Sequence, residues 1–147
     1  MKNEYLRHTL STIDYRFQKS VKYVDDDFGD FTIGNGVRTP NEILSHMFQI
    51  LNGTRIYILE EKYQREPPEK LNLKLEIERF KIELKHLDEV LSEKELEMNY
   101  SKRLLQGPLS DILTHIGQIS MLSRLNNNPI VGEDFSAAKI QTGIILI

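Results

Sequence analysis

The chain contains no cysteine. Disulfides, thiolate metal sites and cysteine nucleophiles are therefore excluded, and the absence agrees with a reducing compartment. Basic excess is missing too. The net charge is −3, and with no Lys/Arg block the electrostatic basis for nucleic-acid binding is absent, so no nucleic-acid partner is expected. No segment approaches the roughly 20 apolar residues that crossing a bilayer requires. The opening MKNEYLRHTL carries charges but lacks the apolar centre of a signal peptide. The apolar run Ile144-Ile145-Leu146-Ile147 is far too short to span. The expectation is a soluble, cytoplasmic protein with no membrane partner. Gly34-Asn35-Gly36 lacks the preceding strand and the further glycine of a phosphate loop. No nucleophile elbow, ordered Ser/His/Asp triad, internal repeat or low-complexity tract occurs.

What is present is helical periodicity. A chain of 147 residues is long enough for one domain, residues 1–147, with a real core. Leu6, Leu10, Ile13, Phe17 and Val21 recur at helical spacing and predict a first helix from Tyr5 to about Val24. Asp25-Asp26-Asp27 and three glycines end it. In the loop that follows, Phe28, Phe31 and Ile33 suggest folding back onto the core. Thr39-Pro40-Asn41-Glu42 reads as a capping box with proline at the first helical position. The second helix then runs to about Lys62, with Ile43, Met47, Ile50, Thr54 and Tyr57 on its inner stripe, and Glu66-Pro67-Pro68-Glu69 forms a stiff linker. Leu73, Ile77, Phe80, Leu84, Leu87 and Leu91 make the clearest stripe, with Glu and Lys on the solvated face of this third helix. Leu96 to Leu105 either extends it or begins a fourth, and Gly107-Pro108 either starts the fourth or kinks it. Asn126-Asn127-Asn128-Pro129 is a strong stop. The tail from Ile130 has little helical pattern; it is either extended or packed across the helices. The fold class is all-α, a four-helix bundle around one core.

The chemistry concentrates in GPLSDILTHIGQISMLSRL, residues 107–125. Asp111 and His115 are four apart, hence neighbours on one helix face, and Ile119 and Leu122 continue that face inward. His46 lies on the apolar stripe of the second helix. Burying an imidazole and a carboxylate among leucines is expensive unless each finds a partner. A divalent cation satisfies both, and bundle cores hold metals on ligands from facing helices. Three N/O ligands leave positions open, as catalytic sites do. Zinc, nickel, iron and manganese all suit the set. Each residue also has a plainer reading. Asp111 can stabilise the positive end of a helix starting at Pro108. His46 and His115 can each be a hydrogen-bonded core residue. His8 and His86 fall off the stripes and read as surface residues.

TPNEILSHMFQIL in the second helix and GPLSDILTHIGQISMLSRLNNNPIVGEDF in the fourth carry a resemblance. With them the chain resembles the DinB-like (DinB/YfiT) superfamily of bacterial helical bundles. The resemblance implies an up-down-down-up topology. That order makes the second and third helices parallel and asks for a long connection between them, so the second helix should end nearer Leu59. Register then favours a fourth helix beginning before Gly107, with Pro108 inside it or at a kink. The resemblance also implies a divalent-metal site of three histidines. His46 matches the first and His115 the last, while Asp111 stands where the remaining histidine belongs. A two-His-one-carboxylate site stays feasible, since a carboxylate also ligates zinc, iron or manganese; weaker binding or a vestigial site is the other outcome.

Characterised relatives include metal-dependent thiol transferases of the bacillithiol type and a mycothiol-dependent isomerase. The implied function is a divalent-metal-dependent enzyme, a thiol transferase or metal-assisted hydrolase that activates a thiol or water. Its low-molecular-weight thiol would arrive as cosubstrate. The alternative is a non-catalytic, stress-related dimeric bundle with a vestigial metal site. No catalytic side chain is assigned. Thr114 and Gln118 are candidates to orient a ligand by hydrogen bonding, and Tyr5, Tyr15 and Tyr57 to line a pocket. The resemblance further implies a homodimer, for which the apolar tail Ile144 to Ile147 suits an interface.

Overall fold

The computed structural model describes residues 1–63 and 66–146. All regular structure among them is helical: α1 (Glu4–Ser20), α2 (Pro40–Glu60), α3 (Leu73–Glu93), α4 (Met98–Leu104) and α5 (Ser110–Leu125). A π turn, Leu105–Leu109, joins α4 to α5, and 3-10 turns occupy Asp26–Asp30 and Phe135–Ala137. No strand occurs among the described residues, and no helix is long and apolar enough to cross a membrane.

The helix starts follow their caps. The Thr39 hydroxyl accepts from the Glu42 N–H at 3.2 Å, and the Glu42 carboxylate accepts from the Thr39 N–H at 3.0 Å. That reciprocal pair satisfies two otherwise orphaned donors and fixes the start of α2. The Asn72 side chain does half of the same work for α3, accepting from the Leu75 N–H at 3.0 Å. At the other end of α3, the Asn3 amide donates to the carbonyls of Leu91 at 2.8 Å and Lys94 at 2.7 Å, pinning the entry to α1 against the exit from α3.

Along α1 and α3 the core is built from the predicted stripes, while α2 buries Ile43, Leu44, Met47, Leu51 and Ile58 and leaves the expected Ile50, Thr54 and Tyr57 half-buried. Leu6, Leu10, Ile13 and Phe17 from α1 meet Phe80, Leu84, Leu87 and Leu91 from α3, all buried. The rings of Phe17 and Phe80 lie 4.7 Å apart at its centre. Between α1 and α3, contacts pair Phe17 with Phe80, Arg7 with Asp88, and Asn3 with Leu91. Between α2 and α3 they pair Phe48 with Arg79, Arg55 with Glu83, and Ile58 with Lys94. Phe28 folds back as expected and is fully buried, whereas Ile33 remains 40% exposed. The acidic face of α3 is not wholly solvated. Glu76 and Glu83 are buried, bound to Arg79 and Arg55. Their aliphatic neighbours need covering, and an arginine partner reduces the desolvation cost of each carboxylate.

Pro108 explains the π turn. It has no N–H to give to Leu104, so the regular ladder is interrupted. The Ser110 N–H reaches back to the Leu105 carbonyl instead, and the Ser110 hydroxyl donates to the same oxygen at 2.5 Å. Leu104 and Leu109 are five residues apart, which in an α-helix would separate them by about 140°. Both are buried, because the wider turn returns the chain to the same face. Residues 98–125 thus form one interrupted helix that begins before Gly107 with Pro108 inside, the arrangement the ligand register favoured.

The tail packs across α1. The Gly143 N–H donates to the Ser11 hydroxyl at 3.1 Å, the Leu146 N–H to the Asp14 carboxylate at 2.9 Å, and Thr142 meets the His8 ring at 2.8 Å. Phe135 stands edge-on to Tyr15 and under the Arg16 guanidinium. Ile145 packs on the core, while Ile144 and Leu146 are 51% and 60% exposed.

Candidate metal centre

His46 projects from α2 about two turns beyond its cap. Asp111 and His115 lie one turn apart at the beginning of α5. The structure brings the three together: each offers a ligand atom, and these atoms all lie within 4.8 Å of one another. The imidazole rings meet edge to face, with centroids 4.9 Å apart and planes at 83°. His115 Nε2 lies 3.5 Å from Asp111 Oδ2.

Burial is graded across the trio. The side chain of His115 is 9% exposed and that of Asp111 is 51% exposed, with His46 between. Asp111 therefore stands at a solvent-facing rim, not among leucines as its inward face implied. Nor does it stand at a free helix start, since helical backbone leads into α5 from α4 through the π turn.

The protonation pattern follows from one hydrogen bond. His115 Nδ1 lies 2.8 Å from Gln118 Oε1. A carbonyl oxygen only accepts, so Nδ1 carries a proton, and in the neutral ring Nε2 presents a lone pair. That Nε2 is buried and has no hydrogen-bond partner. It faces a carboxylate oxygen, so two acceptors oppose each other across 3.5 Å. A buried acceptor left unpaired costs about 1–3 kcal/mol, and a cation between the two removes that cost. The His46 imidazole is held below its ordinary pKa, first by burial and then by the charges of Arg38 and His115, against the pull of Asp111. It is thus disposed to be the neutral ring a metal needs. Two imidazole nitrogens and one carboxylate oxygen suit zinc, nickel, iron or manganese.

Of the two candidates to orient a ligand, Gln118 is hydrogen-bonded to the His115 ring, while the Thr114 hydroxyl donates to the Ser110 carbonyl at 3.1 Å, the usual back-bond of a threonine in a helix. Of Tyr5, Tyr15 and Tyr57, the three tyrosines expected at a pocket, Tyr57 lines the neighbouring cleft. Tyr5 is 87% exposed, and Tyr15 is bound to Glu133 beneath the tail. His8 and His86 lie at the surface.

From His46 a cleft of about 810 Å³ runs between α2 and α4, past Gly53 and Tyr57 on one side and Leu104, Arg103 and Tyr100 on the other. Tyr63, Tyr100 and Arg103 were not legible as cleft residues. Tyr63 lies just past the expected end of the second helix, and Tyr100 and Arg103 lie on the segment whose helical phase the sequence left open. A separate groove of about 550 Å³ lies between α1 and the tail, lined by Asp14, Lys22 and Lys139 among others. No family model, curated protein or solved structure matches this chain.

Proposed function

We propose that this protein is a divalent-metal-dependent enzyme built on a DinB-like four-helix bundle, and that it transfers a low-molecular-weight thiol or hydrolyses a bond with activated water. Contact order supports the bundle. Partners in α1 and α3 advance in opposite directions along the chain, and those in α2 and α3 advance together. His46–His115 and Tyr57–Tyr100 run oppositely between α2 and the α4–α5 helix. Together they favour an up-down-down-up order. Residues 61–72, between α2 and α3, can reach about 40 Å fully extended, more than the roughly 30 Å length of α2.

The observation that carries the metal reading is His115 Nε2, buried, without a partner and facing Asp111. His46, Asp111 and His115 would hold the ion, and Gln118 would keep the His115 ring in the correct tautomer. Such an ion supplies Lewis acidity that lowers the pKa of a thiol or water at neutral pH. The half-exposed Asp111 rim leaves room for a cosubstrate, and the absence of cysteine on the chain leaves the thiol to that cosubstrate. The exposed Ile144 and Leu146 offer an apolar surface for a homodimer.

The test is metal titration of the purified chain with zinc, nickel, iron(II) and manganese(II), read by stoichiometry and by thermal shift. One equivalent should bind and stabilise the fold by about 2.7 kcal/mol at a hundredfold excess over the dissociation constant. Failure of the wild type to bind, or an equal shift in a His46→Ala/His115→Ala variant, would overturn the reading. The exposure of Asp111 favours one alternative, a non-catalytic stress-related dimer with a vestigial site. Cobalt(II) separates the two: a working site changes its visible spectrum when a small thiol is added, and a vestigial one does not.

A further inference from the structure

The cleft beside the metal centre is polarised along its length. His46 and Pro108 mark its lower end, and Arg103 borders its middle. Its upper end gathers Tyr57, Tyr63 and Tyr100 with the carboxylates of Glu61 and Glu97, and among the described residues no basic side chain lines it there. The ring of Tyr57 lies 4.9 Å from that of Tyr63 and 6.3 Å from that of Tyr100. Fifteen residues of helix separate His46 from Glu61, about 22 Å of rise.

Gly53 borders this space. It lies in the interior of α2, where glycine is a poorer helix former than alanine. Neither a turn nor a close backbone approach requires it, because a Cβ at Gly53 would meet no atom within 4 Å. What its missing side chain provides is room in the cleft. Aromatic faces attract cations through their quadrupole, most strongly where water is thinned and carboxylates add charge. Tyr100 is half-buried, and burial, followed by Tyr57 and Tyr63, pushes its hydroxyl above the ordinary range and so keeps it neutral.

We propose that the upper end of this cleft, formed by Tyr57, Tyr63, Tyr100, Glu61 and Glu97, binds an organic ammonium group, as one end of an elongated small molecule whose other end lies towards Arg103 and His46. This deepens the proposed function, because it gives the substrate or cosubstrate a positively charged end remote from the reacting end. The ammonium contact itself requires no metal, so the two readings fail separately.

The experiment uses choline and its neutral isostere 3,3-dimethylbutan-1-ol as probes on the full chain, with and without metal. Binding is read by amide chemical shifts and by tyrosine emission, which is unobscured because the chain has no tryptophan. Choline is expected to shift α2 and α4 amides around Tyr57 and Tyr100 and to bind at least tenfold more tightly than the isostere. Glu61→Gln/Glu97→Gln should weaken choline at least fivefold with metal stoichiometry unchanged. Gly53→Phe, a better helix former that fills the cleft, should abolish the shifts. Equal binding of choline and its isostere, shifts located elsewhere, or undiminished choline binding in the double glutamine variant would each overturn the proposal. Choline binding with no metal uptake would sustain this site and remove the metal-enzyme reading alone.

Discussion

His115 gives its Nδ1 proton to Gln118 Oε1 across 2.8 Å, and that contact decides which nitrogen faces His46 and Asp111. Gln118 is itself exposed, so its substitution leaves the core intact. Gln118→Leu is expected to weaken metal binding by about 10–100-fold, the usual effect of removing the partner that orients a ligating histidine. Stability without metal should fall by about 1 kcal/mol, because the Nδ1–H of the buried His115 ring loses its acceptor. Competition against a chromogenic chelator measures the first quantity and urea unfolding the second. Unchanged affinity would show that the contact does not orient the ring.

Metal-free stability should also depend on His46 in acid. Its folded pKa lies below the reference of 6.5, burial being the first cause. The unfolded chain therefore binds the proton more readily, so this contribution is present above about 6.5 and is lost as pH falls from there through the lower folded value. Thermal melts between pH 7.5 and 5.5 should show wild type losing more than His46→Gln. Parallel curves for the two proteins would contradict the assignment.

Glu76 predicts the opposite sign. Burial raises its pKa above 4.5, with Arg79 opposing. The folded state then holds this proton more readily than the unfolded chain. The contribution is fully present below about 4.5 and is lost as pH rises through the raised value. The stability difference between Glu76→Gln and wild type should therefore move in the variant's favour from acid towards neutral pH. Urea titrations at several pH values check this, and a difference moving the other way would mean that the Arg79 pairing outweighs burial.

At the centre of the core, Phe17 and Phe80 are both fully buried and their rings touch. Phe80→Ala should cost about 3–5 kcal/mol, combining lost transfer energy with the cavity left behind. For a chain of this length that corresponds to a fall in Tm of about 10 °C. Calorimetry would show a much smaller fall only if neighbouring side chains collapse into the space.

The stripes on α1 and α3 could be read from the chain because helical period alone determines which residues point inward. The start of α2 could be read because Thr39 and Glu42 form a local motif. His46 and His115 were recognisable for the same reason, as polar residues at apolar phases. Period specifies a direction but not a depth, so the half-exposure of Asp111 could not be read from its spacing to His115. The buried carboxylates Glu76 and Glu83 were missed because burial of a charged face depends on packing against other helices; Arg55 reaches Glu83 from α2, although Arg79 is a local partner of Glu76 on the same helix. The path of the tail depends on contacts such as Leu146 with Asp14, made between residues far apart in sequence, and no periodic pattern announces them.

The π turn between α4 and α5 has a consequence for reading kindred proteins. It inserts one residue's worth of phase, about 100° of rotation, between the aromatic wall at Tyr100 and the candidate ligands Asp111 and His115. Removing a single residue there and restoring a plain helix would swing the ligands away from His46 while leaving every side chain chemically intact. A homologue could thus keep Asp-x-x-x-His and lose the centre through a one-residue gap. Counting from the tyrosine to the aspartate is accordingly a better guide to shared chemistry than finding the ligand pair alone.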